Sequence, residues 1–502
     1  MAENVYELSA DRVLEPPSTF KGKLRHLGPG FILSASIVGS GELIATTNFG
    51  AEAGFVCLWI IIFSCLVKVA LQLEFGKHAI YSGKTTIGAF NDLPGPKFGK
   101  ASWSIWAWLL AMSLKFLQVG GIIGLVAVVM NTLIPIGPEG GKVGVIFWTV
   151  AAGLSVAFLI SRGRYALIER CCLIMIGLFT IFTVISVIAL QWTDYSITAS
   201  QIGSGLSFEM PSKLILFSAI AAFGITGVGG DEIMAYNYWL IEKGYASYTG
   251  PRPPESDQKA HDAWLARARG WIRIMTLDAL FSLFCYTLVT ILFYILGAAV
   301  LHVLHGKLKD GQELLGALSL MYTESLGPSA KWIFMVGAVA VLYSTLLAAL
   351  GAWTRLFADA FSHIGVGDFQ DPKRRQKAIA IGSFVITAIW AILYFIFEKP
   401  KLMILVGGFI TAVILLLVLF AAFVMRLHWS PAQLKPSRLY DLALCLSALA
   451  IAFGGIWSIS MGLRKFFEKP AEKTAFHGSA ALPQAHQVPV RPDQQLPIHH
   501  HR

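Results

Sequence analysis

Charge is scarce in this sequence, with only 14% of its 502 residues charged. A soluble domain carries about 25%, so there are too few charges to cover a globular surface of this size. Cysteine is scarce as well, with six in all. Cys57, Cys65, Cys171, Cys172, Cys285 and Cys445 all sit in or beside apolar runs, and no CxxC or Cys/His spacing occurs. That excludes a disulfide scaffold and a zinc module and leaves the thiols as small buried hydrophobes. Phosphate loops, HExxH sites and nucleophile motifs are all missing, so no enzyme activity and no prosthetic group are expected. The N-terminus has no cleavable apolar leader, and the first apolar run is expected to direct insertion itself.

Hydrophobic residues, by contrast, make up 55% of the chain, and mean hydropathy is +0.64. Continuously apolar runs of roughly 20 residues read as membrane-spanning helices. Short alternating segments, which a β-barrel would require, do not occur. The expected fold class is therefore an all-α polytopic membrane protein whose chief partner is the lipid bilayer. Runs bounded by charge, Gly or Pro predict eleven spans: 28–50, 55–80, 103–133, 143–160, 166–190, 211–242, 271–300, 330–353, 376–397, 401–425 and 437–460. With the N-terminus cytoplasmic, twenty-five Lys and Arg fall on inner segments and seven on outer loops. This bias predicts N-terminus in and C-terminus out, as an odd helix number requires. The net charge of +10 then reflects orientation and anionic lipid, and no nucleic-acid partner is expected. HDAWLARARGWIRI reads as an amphipathic lead-in along the inner surface, and GQELLGALSLMYTESLG as a short helix in an outer loop. Residues 1–26 form a cytoplasmic N-terminal segment, and 468–502 read as a disordered extracytoplasmic tail.

Two spans break the rules of an ordinary transmembrane helix. In IVGSGELIATTN, Gly39 and Gly41 bracket Ser40 and precede Glu42; in FGITGVGGDEIMAYNYW, Gly224, Gly227, Gly229 and Gly230 precede Asp231 and Glu232. A carboxylate at the bilayer centre costs at least ~2.5 kcal/mol, so three of them call for water, a cation or a partner. Glycine clusters let a helix unwind, freeing carbonyl oxygens to hold a ligand while the half-helix ends aim their dipoles into the gap. The blander reading is that the glycines serve close helix packing. The two segments lie in the first and sixth spans, an offset of five, as expected of inverted repeats 27–190 and 211–425 followed by an accessory helix at 437–460.

LGPGFILSASIVGSGELIATTNFGAEAGF, from Leu27, and GDEIMAYN resemble the first and sixth helices of the Nramp divalent-metal transporters. The resemblance implies a LeuT-type 5+5 inverted repeat with broken helices 1 and 6. It also implies import of Mn²⁺ or Fe²⁺, usually coupled to protons, with the metal as substrate and no obligatory protein partner. Where the family reads Asp-Pro-Gly-Asn, this chain has Gly39, Ser40, Gly41 and Glu42; where it reads Met-Pro-His, this chain has Met234, Ala235 and Tyr236. The resemblance thus places substrate binding on Glu42, Asp231, Glu232, Met234, Gly39 and Gly227, with helix breaks at Ser40, Gly41, Gly229 and Gly230. Thioether favours softer ions and carboxylate favours Mg²⁺ or Mn²⁺, so the metal stays open.

Lys68 and Lys115 lie within spans and each needs a partner. Glu74 is one option for Lys68, and Lys115 is placed to neutralise Glu42 or Asp231. A permanent ammonium opposes a divalent cation, which keeps a second substrate class in view, an amino acid or organic cation. In that reading the amides of Gly39 to Gly41 hold a carboxylate, Asp231 or Glu232 meets an amine, and Tyr236, Tyr238 and Trp239 line the pocket. Gln118 and Asp278 suit a water path, with Tyr236 beside the coupling groups, and Arg355 and Asp359, four apart, are spaced to pair. The expected location is the prokaryotic plasma membrane.

Overall fold

In hydrocarbon every backbone polar group must be satisfied within the chain, which long helices achieve. The structure, a computed structural model, describes residues 4–137, 141–162, 165–304, 312–435 and 437–467. Residues 1–460 form one compact unit and 461–502 a second; the expected tail at 468–502 lies outside the described residues. Among those described, ten helices are long and apolar enough to cross a membrane. In chain order, with one further helix included, they are α1 (Pro29–Ala53), α2 (Leu58–Ser82), α3 (Trp103–Leu133), α4 (Lys142–Ser161), α5 (Tyr165–Ala189, the further one), α6 (Leu216–Lys243), α7 (Gln258–Leu301), α8 (Ala330–Ile364), α9 (Pro372–Phe397), α10 (Pro400–Trp429) and α11 (Arg438–Ser460). A helix also forms at Gln312–Leu326, and a short antiparallel hairpin pairs Lys97 with Ser102.

Burial sorts the helices into a centre and a rim. The apolar window of α1 is 88% buried and that of α6 is 83%, against 28% for α9 and α11. The exposed side chains of the rim are Ile, Leu, Val and Phe, as on Ile381, Val385, Leu446 and Phe453, the surface that meets lipid.

Glycines set how closely the central helices pass. A Cβ at Gly224 would run into the Gly408 carbonyl, and one at Gly408 would lie 2.5 Å from the Ala221 carbonyl. Cβ atoms at Gly50 and Gly297 would each lie 2.5 Å from a carbonyl across the α1–α7 contact, those of Tyr294 and Thr47. A backbone carbonyl cannot swing aside as a side chain tip can. Gly224→Ala should therefore destabilise the protein by about 1–3 kcal/mol or more. Gly177→Ala, where nothing lies within 4 Å, should be neutral or mildly stabilising. Thermal unfolding of the two variants in detergent compares them directly.

The segment HDAWLARARGWIRI does not lie apart as a surface helix. It runs unbroken into α7, an α-helix from Gln258 to Leu296 capped by Asp257. Its single glycine, Gly270, is accommodated because Pro16 packs against it. Helix α8 likewise runs past 353 and stops at Ile364, where Gly365 takes φ 98°.

The N-terminal segment is strapped across several helix ends. Leu14 N–H donates to Tyr248 O at 3.0 Å, and Trp271 Nε1 donates to Leu14 O at 2.9 Å. Tyr6 donates to Glu242 at 2.6 Å, beneath the Arg375 guanidinium. Burial, with Glu242 beside it, raises the Tyr6 phenol well above its ordinary pKa, so it remains a hydrogen-bond donor.

Candidate functional site

Helix α6 is two half-helices, Leu216–Ile225 and Gly230–Lys243. Between them Thr226 is extended, Gly227 has φ 65° and Gly229 is extended. Glycine is the residue best suited to the Gly227 conformation, and a Cβ there would also lie 3.0 Å from Cys65 Cα. Gly230, expected in the break, is the first helical residue beyond it, packed against Ile414.

Helix α1 is not broken. Its backbone stays helical throughout and changes hydrogen-bond register to a π-helix over Val38–Thr46. The glycines expected to unwind it serve packing: a Cβ at Gly39 would collide with Thr345 of α8, and one at Gly41 would sit 3.2 Å from Ile225. Ser40 lies within the π segment, and its side chain is not among those described. π segments widen the helix and are frequent at functional sites. Here the segment carries Glu42 to the α6 gap.

Glu42 is fully buried. It accepts from Thr46 Oγ1 at 2.7 Å and from the Gly227 N–H at 3.1 Å. At the start of the second half-helix, where the dipole favours negative charge, Asp231 pairs with the Lys115 ammonium of α3 and accepts from Trp353 Nε1 at 3.0 Å. Glu232 turns the other way. Its Oε1 lies 3.4 Å from Ser36 Oγ of α1, and its Oε2 lies 3.9 Å from Lys115. That Oε2 is buried without a hydrogen-bond partner. Lys68 of α2 does not meet Glu74, which pairs with Lys77. Its ammonium binds the carbonyls of Phe223, Gly224 (3.2 Å) and Thr226 (2.7 Å) at the end of the first half-helix.

The gap thus gathers Glu42, Asp231, Glu232, Lys68 and Lys115. Met234 is buried three residues after Asp231, on the same helical face; its carbonyl accepts from Thr86. Other expected residues lie elsewhere. Asp278 accepts from Gly28 N–H at 2.9 Å, Gly30 N–H at 2.6 Å and Tyr236 OH at 3.0 Å, so Tyr236 and Asp278 together hold the start of α1. Gln118 packs against Gly407, its Oε1 without a hydrogen-bond partner. Tyr238 donates to Asp359 and Trp239 lies under Arg355. Arg355 binds Glu242 across helices at 2.6 Å in place of Asp359.

Ser36, Thr226 and Trp353 complete the site, and only their neighbours in space mark them; Trp353 follows Asp231 by 122 residues. Among the described residues, no group of three or more His, Cys, Asp or Glu side chains is arranged to hold a metal ion. Asp231 and Glu232 share the Lys115 ammonium, while Glu42 is held apart by Thr46 and the Gly227 N–H.

A family model described as natural resistance-associated macrophage protein-like (Nramp) matches residues 30–461. Curated relatives include the divalent metal cation transporters MntH of Yersinia enterocolitica, 26% identical over 42% of this chain and 48% of the relative, and of Brucella suis, 24% identical over 63% and 64%. The chain thus spans about half to under two thirds of the length of the curated relatives it matches first. Among solved structures, the manganese transporter of Eremococcus coleocola, in a histidine-to-alanine variant, superposes with TM-score 0.65 at 17% identity, over 93% of this chain and 94% of that one. The same transporter with an aromatic bis-isothiourea compound gives 0.62 at 17% identity, over 93% of each chain. These likenesses establish a shared fold.

Proposed function

This chain belongs to the Nramp family of integral membrane proteins, and from that premise we propose that it is a secondary transporter moving a divalent metal cation by alternating access. The MntH relatives, divalent metal cation transporters, support that substrate class. The observation that carries it is the Glu232 Oε2 beside the α6 gap, a buried carboxylate oxygen with no hydrogen bond, whose counter-charge is the Lys115 ammonium at 3.9 Å. A buried carboxylate oxygen without a hydrogen bond is costly, and a cation that takes it up relieves that cost. Asp231 and Met234 on the adjoining face would add a second carboxylate and one soft donor. The site suits Mn²⁺ or Mg²⁺. Transport is the whole activity in this reading, with no catalysis and no obligatory protein partner.

We place the site between the π segment of α1 and the gap of α6, within two inverted repeats formed by α1–α5 and α6–α10, with α11 accessory. All eleven helices cross the bacterial plasma membrane, with the N-terminus cytoplasmic, in keeping with the Lys and Arg bias. Formally, three carboxylates and two ammonium groups leave the gap at −1. A dication is admitted once the Lys115 ammonium turns from the carboxylates, and this links loading to a charge movement at Lys115.

The same ammonium favours a second reading, an amino acid or organic cation at this site, because it already neutralises Asp231. Uptake of ⁵⁴Mn²⁺ into proteoliposomes, competed with Mg²⁺, Ca²⁺ and an amino-acid panel, separates the two. The expected result is saturable Mn²⁺ uptake reduced at least ~10-fold in Glu232→Gln, as loss of one charged ligand contact of ~1.5–3 kcal/mol implies. No metal uptake, together with saturable amino-acid uptake, would replace the metal reading with the second.

A further inference from the structure

The two buried lysines of the gap are held in different ways. Lys115 pairs with a carboxylate. Lys68 is fully buried, yet no carboxylate lies within 4 Å of its ammonium among the described residues. Its partners are backbone oxygens alone: the carbonyls of Phe223, Gly224 and Thr226. These carbonyls are available because the first half-helix stops at Ile225, leaving its last turn without intrahelical donors. They also carry the negative end of the helix dipole.

The cage is a built one. Ser64, one turn before Lys68 on α2, donates to Phe223 O at 3.0 Å and approaches Thr226 O at 3.3 Å. Thr226 Oγ1 in turn donates to Ser64 Oγ at 3.0 Å. The Phe223 ring lies 5.0 Å from the ammonium and covers it. One residue beyond Thr226, the Gly227 N–H holds Glu42, which places a carboxylate beside the cage without direct pairing. Converging carbonyls, held in place by hydroxyls and with a nearby negative charge, are the donor set that coordinates small monovalent cations.

We propose that the end of the half-helix Leu216–Ile225 is a monovalent-cation site that this chain fills with its own Lys68 ammonium. The tethered charge does the work of a bound alkali ion: it neutralises the exposed helix end and joins α2 to α6. The protein therefore needs no free monovalent ion at this position. The inference goes beyond the assignment of cargo and does not depend on which cargo is carried, since its test reads stability.

The test compares Lys68→Ala, which removes the charge and leaves room for an ion, with Lys68→Met, which removes the charge and keeps the side chain's bulk. Unfolding temperature is followed in detergent against ammonium, sodium and choline chloride at constant ionic strength. The expected result is a saturable rise of roughly 5 °C for Lys68→Ala with ammonium or sodium. Choline, too large for the cage, should have no effect, and neither should any of the salts on wild type or Lys68→Met. A Lys68→Ala protein that is recovered only when ammonium or sodium is present throughout purification counts as the same result. Overturning outcomes are a folded Lys68→Ala that responds to no cation, an equal response from Lys68→Met, or failure to recover Lys68→Ala in all three salts alike.

Discussion

Lys115→Met should lose about 3–5 kcal/mol of stability, the cost of leaving one member of a buried ion pair alone. The Asp231 carboxylate would keep the Trp353 indole as its one neutral donor, with the neighbouring Glu232 carboxylate unscreened. Adding Asp231→Asn should restore most of the loss, because a neutral amide needs no counter-charge and still accepts from Trp353. The double-mutant cycle then gives a coupling of about 3 kcal/mol or more, the upper end for two residues in direct contact. Additive losses would show that Lys115 and Asp231 are not partners. Measurement is by equilibrium or thermal unfolding of the four proteins in one detergent.

Asp278→Ala should be comparably damaging for a different reason. Asp278 is the acceptor for Gly28 N–H, Gly30 N–H and Tyr236 OH at once. Removing it leaves two buried N–H donors unanswered at about 1–3 kcal/mol each and leaves the Tyr236 hydroxyl only the Met275 carbonyl at 3.3 Å, for an expected total of roughly 3–5 kcal/mol. Asp278 stands in for the capping side chain that Gly28, at the N-cap of α1, does not have. Tyr236→Phe removes one of the three donors and leaves the cap in place, so its cost should be near 1 kcal/mol. If unfolding measurements instead found Tyr236→Phe as damaging as Asp278→Ala, the bond to Asp278 would not be the main role of Tyr236.

The long helices were legible because twenty apolar residues between charges or prolines leave few alternatives in a membrane. The α6 gap was legible too: Gly227 and Gly229 precede two carboxylates, a pattern that suits an interrupted helix and its N-terminal dipole. The same reading applied to Gly39 and Gly41 points the wrong way. A small residue that unwinds a helix and one that admits a neighbour look alike in sequence, and here Thr345 and Ile225 are the neighbours. Lys68 was visible as a charge in need of a partner, but backbone carbonyls carry no residue signature, so its partners were not. Asp278 looks in sequence like part of a water path, because its partner Gly28 lies 250 residues away and leaves no local sign. Arg355 and Asp359 had the spacing of a helix pair, yet each found a better partner on α6, Glu242 and Tyr238.

The glycine contacts bear on how such a molecule can move. Because Gly224 and Gly408 carry no Cβ, the first half of α6 and α10 meet backbone to backbone, with no side chain between them to repack. Across Gly50 and Gly297, α1 and α7 meet in the same way. A change of angle between the two halves of α6 falls on the four residues from Thr226 to Gly229, a joint held by the Lys68 ammonium on one side and the Glu42 carboxylate on the other. Any bending of α6 at this joint has to loosen those two grips first.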